Sequence, residues 1–221
     1  MRLSFFGPER NKTAWIVAGV VGLATLVTLV WQLGIFGDST DALAASTSRE
    51  DRQKAIRKLA ESGSSDAAEK LTKLASHSDP WTARYAVRAM GDRPSDENRR
   101  ALTGILANRE ISAAARSEAA ATLGKFKQAD PVVLVRSLTA DESPEVRAGA
   151  AKGLARLEKP STIPQLSAAL EDPSPQVRMW AITAIHKMIV RRYPYDPAKP
   201  PQQQQEVIGR IREYLRKCGV L

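Results

Sequence analysis

The chain holds two histidines, His77 and His186, and one cysteine, Cys218. Imidazoles and thiols are the side chains most often used to hold zinc or to serve as base and nucleophile. Either task needs partners at fixed spacing. Neither histidine has a second His, a Cys or an acid at ligand spacing. His77 precedes Asp79-Pro80 in a turn-type stretch, and His186 lies beside an apolar helical face. No Ser-His-Asp set and no Gly-rich phosphate loop can be assembled from the rest. A single cysteine allows no intrachain disulfide and no paired-Cys zinc pattern. Cys218, next to Arg216 and Lys217, reads as an exposed terminal residue. We therefore assign no catalytic, cofactor-binding or metal-binding residue, and the chain reads as a non-enzyme.

The remaining chemistry is cationic. The formal net charge is +9. Residues 1–48 carry three basic side chains (Arg2, Arg10, Lys12) and three acids (Glu9, Asp38, Asp41), so the whole excess follows them. Such a charge can steer an acidic partner, nucleic acid or anionic lipid, or simply solvate a surface. The alternation of signs along the chain fits the last of these. Residues 191–201, RRYPYDPAKPP, are the most distinctive stretch, with four prolines, two tyrosines and three basic groups. Proline lowers the entropy a loop loses on binding, and Tyr and Arg are frequent interface anchors. Arg191, Arg192, Tyr193, Tyr195 and Lys199 are thus candidate partner-binding residues. The competing reading is a long surface connection before a capping helix at about 203–217. There Val207, Ile208, Ile211 and Leu215 share one face.

The elements that position these groups are helices in register. Alanine and leucine dominate the apolar set, which favours helix over strand. Five segments align: DRQKAIRKLA (51–60), TARYAVRAMG (82–91), ARSEAAATLG (115–124), VRAGAAKGLA (146–155) and VRMWAITAIH (177–186). The fifth position is always alanine (Ala55, Ala86, Ala119, Ala150, Ala181). The ninth is large and apolar (Leu59, Met90, Leu123, Leu154, Ile185). A second series, Leu74, Leu106, Leu138 and Leu170, falls between them. A period near 30 with two apolar series predicts two helices per unit, each unit too small to bury its own face, so that neighbours must stack. The small residue admits close backbone approach and the large one fills the layer. Asp79-Pro80, Ser143-Pro144 and Ser174-Pro175 predict helix starts with a capping side chain or first-turn proline. Ser62-Gly63 and Gly91-Asp92 predict turns.

ADESPEVRAGAAKGLARL (140–157) followed by TIPQLSAALED (162–172) resembles a HEAT repeat of the short form noted in phycobilisome lyases, and EDPSPQVRMWAITAI (171–185) opens another. The resemblance spans roughly 49–221 and implies an all-α fold, an α-α superhelix of about five helix pairs. It also implies that Arg52, Arg116, Arg147 and Arg178, with acids such as Asp141 and Asp172, form a ladder between units; Ala83 breaks the row. In the family the second helices line the concave side, which would make Lys70, Lys73, Arg99, Arg100 and Arg136 a basic groove; Arg99, Arg100 and Arg136 join the candidate partner-binding residues. Iron-binding hydroxylases of similar scaffold use His-Glu pairs, whereas Ser78 and Lys187 follow the histidines here. Nothing marks a pigment pocket of the lyase type. Function does not transfer with such a fold.

Residues 14–36, AWIVAGVVGLATLVTLVWQLGIF, contain no ionisable side chain. At about 1.5 Å per residue they reach roughly 34 Å as a helix, enough for a hydrocarbon core of about 30 Å. Trp15 and Trp31 sit near the ends, where indoles prefer the headgroups. The organisation expected is a basic tail (1–13), a transmembrane helix (14–36), a flexible linker (37–48) and a HEAT-like domain (49–221). Positive charge precedes the span and none follows within 37–48, which predicts a cytoplasmic N-terminus and an extracytoplasmic repeat domain in the cell membrane. A signal peptide cleaved near Ala42-Leu43-Ala44 is the competing reading; the apolar core is long for one. Ala18 and Gly22 have the spacing of a weak helix-pairing motif.

Together these expectations describe a single-pass, membrane-anchored HEAT-like scaffold or adaptor that binds another protein without a cofactor. The alternatives are a nucleic-acid-binding module and a non-catalytic regulatory subunit of a membrane-associated enzyme complex. Anionic lipid contact by the basic C-terminal region, net +5 from Lys187 onward, is a further partner expectation.

Overall fold

The computed structural model describes residues 48–64 and 66–221. The expected tail, membrane span and most of the linker lie outside the described residues. Among these residues there are ten α-helices and no strand. They form five pairs: α1 (Arg49–Ser62) with α2 (Ala67–Ala75), α3 (Pro80–Met90) with α4 (Asp96–Ala107), and α5 (Ala113–Leu123) with α6 (Pro131–Ala140). Then come α7 (Pro144–Leu157) with α8 (Ile163–Ala168), and α9 (Pro175–Met188) with α10 (Gln205–Lys217). Among the described residues, no helix is long and apolar enough to cross a membrane.

The first helices α1, α3, α5, α7 and α9 stack on one another in order, and each of α2, α4, α6 and α8 packs on the first helix that follows it. The core lies between the two rows. Ala86, Ala119, Ala150 and Ala181 are fully buried, as are Met90, Leu123, Leu154 and Ile185 at the large position. Leu74, Leu106, Leu138 and Leu170 close the layer from the second row. Ala55 and Leu59 are only partly buried; among the described residues α1 stacks on one first helix, α3. Ile208, Ile211 and Leu215 of α10 are buried as expected, and Val207 is half-buried.

The starts divide into two kinds. The Asp79 carboxylate accepts from the backbone N–H of Trp81 and Thr82, and Asp130 accepts from Val132 N–H. Ser143 and Ser174 make no such bond. There the first-turn proline is the expected feature that is present, and the Ser143 and Ser174 N–H groups donate to Asp141 (3.0 Å) and Asp172 (2.8 Å). The proline fixes the first turn after each. Gly63 ends α1 at φ 63°, a left-handed value that glycine reaches without strain. The second helix of the fourth unit is short, with 3₁₀ turns at Pro160–Thr162 and Ala169–Glu171 on either side.

The closest approach is between α5 and α7, where small residues let backbones touch. A Cβ built on Gly149 would lie 2.8 Å from Ser117 Cα, and one on Gly153 would press on the Ala120 carbonyl. Gly104, on the outside of α4, has no atom within 4 Å of the same position. Gly153→Val is therefore expected to cost roughly 1–3 kcal/mol by overpacking. Gly104→Ala should gain about 0.5–1 kcal/mol from helix propensity. Equilibrium urea unfolding of the two variants checks both signs.

Candidate functional site

The arginine row is a set of bridges between neighbouring pairs. Arg147 holds Asp172 by two bonds (Nε 2.8 Å, Nη2 3.1 Å), Arg116 holds Asp141 at 2.5 Å, and Arg52 approaches Asp79 at 3.4 Å. Each aspartate works twice, because it also accepts from the turn that starts the next helix. Asp141 and Asp172, six residues before Arg147 and Arg178, have a further use. Arg147 donates to the Asp141 backbone carbonyl, and Arg178 to that of Asp172. Arg178, nearly fully buried, meets no acid on the far side and donates to the carbonyls of Pro197 and Lys199 in the loop before α10. At Ala83 the bridge is missing. The second and third pairs are joined by Arg88 on Glu118 (3.0 and 3.2 Å) and Lys125 on Asp92 (3.0 Å).

Protonation follows the same contacts. The Thr82 hydroxyl, then the Thr82 and Trp81 amides, hold the Asp79 carboxyl below the usual carboxylate range. Arg212 and Gln205 do the same for Glu171, tying α10 to the end of α8.

The candidate partner-binding residues do not converge on one site. Arg99 (α4) is half-buried against Asp96 at 3.0 Å, while Arg100 (α4) and Arg136 (α6) are exposed on second helices. Arg191, Arg192, Tyr193, Tyr195 and Lys199 lie in the loop between α9 and α10. Arg191, Arg192 and Lys199 are exposed. The tyrosines point inward. Tyr195 is 8% exposed and its hydroxyl donates to the Leu170 carbonyl at 2.5 Å. Tyr193, also buried, meets the Tyr214 ring edge-on at 6.1 Å, and the Arg191 guanidinium covers both rings at 5.4 and 5.8 Å. Tyr193 fastens the loop to α10 and Tyr195 fastens it to the turn after α8, so both side chains are buried rather than exposed. Among the described residues, no three His, Cys, Asp or Glu side chains gather closely enough to hold a metal.

Sequence reasoning missed an open groove of about 410 Å³ on the row of first helices. It crosses α3, α5, α7 and α9. Its floor is small: Ser117, Ala121, Ala148 and Gly149. Lys152 lies over the Trp180 ring, its ammonium 5.1 Å from the centroid. Arg84 and Arg88 flank Glu118 at the other end, and Arg156 reaches the Ala121 carbonyl at 2.5 Å. Burial, with Arg156 nearby, pushes the Lys152 ammonium below its ordinary value. The available signal was the half-buried Trp180 on a helix whose apolar face is otherwise complete.

His186 secures the long loop, its Nε2 accepting the Tyr193 N–H at 3.2 Å. Burial and Arg192 hold its imidazole below 6.5. The folded protein thus binds this proton less readily than the unfolded chain, so its contribution is full above about pH 6.5 and declines as pH falls below it. The thermal midpoint is expected to fall between about pH 7.5 and about 5.5. His186→Gln, which keeps an acceptor without a titrating ring, should flatten that slope.

No curated protein matches the chain. Two solved structures of engineered proteins from the Northeast Structural Genomics Consortium are similar at a low level. One is 22% identical with a TM-score of 0.41, covering 68% of this chain and 79% of that one. The other is 20% identical with a TM-score of 0.41, covering 68% of this chain and 81% of that one. The family profile described as HEAT repeats matches residues 38–124 and 109–186. That match covers more than half of the chain, which belongs to the HEAT-repeat family.

Proposed function

We propose that this chain is a non-catalytic scaffold that binds another protein on the surface of its HEAT-repeat array and is held at a membrane by residues 14–36. The observation that carries the reading is the division of labour among polar groups. Asp79, Asp141 and Asp172, with Arg52, Arg116 and Arg147, are spent on joints between pairs. The groove from Arg84 to Trp180 holds the Arg88–Glu118 joint at one end, but among the described residues its Lys152 makes no ion pair, and it offers a half-exposed aromatic and a cation beside a run of small residues. Stacked repeats present such surfaces without reorganising. Chemical crosslinking followed by purification of the full chain from mild detergent is expected to recover the same protein repeatedly. Recovery of none across repeats would overturn the reading.

The anchor rests on the uncharged run 14–36, and the side of the membrane on Arg2, Arg10 and Lys12 before it. A C-terminal alkaline phosphatase fusion should be active and a C-terminal fluorescent protein fusion dark. The reverse pattern would put the repeats in the cytoplasm.

A further inference from the structure

We infer that the groove between Arg84 and Trp180 receives an acidic segment of a protein partner, with a carboxylate of that segment seated on Lys152 and its neighbouring apolar atoms on Trp180. The inference rests on the scaffold reading above and names the chemistry its partner must carry.

Charge makes the case. Lys152 feels three neighbouring cations, Arg84, Arg88 and Arg156, and the carboxylate of Glu118. That carboxylate is already taken, by two bonds from Arg88 and by Arg84 at 3.9 Å. Among the described residues Lys152 makes no ion pair; its contact is the Trp180 ring. A cation part-buried on an aromatic face, with more positive than negative charge around it, gains most from an incoming anion. An anion there would draw the Lys152 ammonium back toward its ordinary protonation.

The shape decides which anion. Ser117, Ala121, Ala148 and Gly149 give a floor low enough for an extended backbone, and the Ser117 hydroxyl is turned inward onto the Glu145 carbonyl (2.8 Å). Glu118 lies at the Arg84 end, and the exposed Glu145 also lines the groove. A nucleic-acid strand, with a phosphate at every step, would set charges against both. A peptide with one carboxylate among neutral residues meets Lys152 and passes the two glutamates without repulsion.

The test uses the full chain in detergent and a fluorescein-labelled alanine-rich peptide carrying glutamate, against the same peptide carrying glutamine. Fluorescence anisotropy is expected to show tighter binding of the glutamate peptide, with the difference shrinking as salt rises. Lys152→Gln should weaken it by about tenfold. Lys152→Arg should retain binding, and Lys127→Gln, at an exposed lysine between α5 and α6, should leave it unchanged. Equal binding of the two peptides, no effect of Lys152→Gln, or tighter binding of single-stranded oligothymidylate would each overturn the inference. Crosslinking separates this from the parent reading. If Lys152→Gln still recovers the wild-type partner in full, the groove is not the docking site and the scaffold reading stands. If wild type recovers none, the scaffold reading itself fails.

Discussion

Everything in the repeat array depends on one aspartate doing two jobs. Asp172 accepts the Ser174 N–H with one oxygen, fixing where α9 begins, and takes both Arg147 bonds across the joint. Asp141 does the same for α7 and Arg116. The start of a helix and its docking onto the previous pair are thus one event. A charge-assisted pair is strong where water is scarce. Arg116 and Asp141 have side chains only 8% and 6% exposed, so neither partner can be removed without stranding the other. Apolar contact alone could tolerate sliding between stacked helices; these pairs set the register.

Given that register, small residues decide how near the first helices come. Ser117, Ala120, Gly149 and Gly153 bring α5 and α7 to backbone contact. The same smallness on the outer side leaves the trough that Lys152 and Trp180 border. Close packing inside and a depression outside share one cause: a run of residues with little or no side chain.

Much of this was legible in the sequence because periodicity is local. The alanine and leucine series named the buried positions, and the X-Pro steps named the helix starts. The recurring arginine marked the joints. What stayed hidden was long-range. The partner of Arg147 lies 25 residues away, whereas the acid six residues before it contributes a backbone carbonyl rather than a carboxylate. Tyr193 and Tyr195 sit in a loop without periodicity, and only the fold shows that they turn inward to α10 and Leu170. The groove was invisible because Arg84, Glu118, Lys152 and Trp180 come from four different helices. The span at 14–36 was read from apolar length alone, and it lies outside the described residues.

The break at Ala83 makes the joints of the array uneven. The second and third pairs meet through Arg88, 54% exposed against a Glu118 only 10% exposed, and through Lys125 and Asp92, at 34% and 68%. Charges that open to water are shielded by dissolved salt far more than buried ones. Dissolved salt therefore reaches the Lys125–Asp92 pair at this junction more readily than it reaches the Arg116–Asp141 pair at the next.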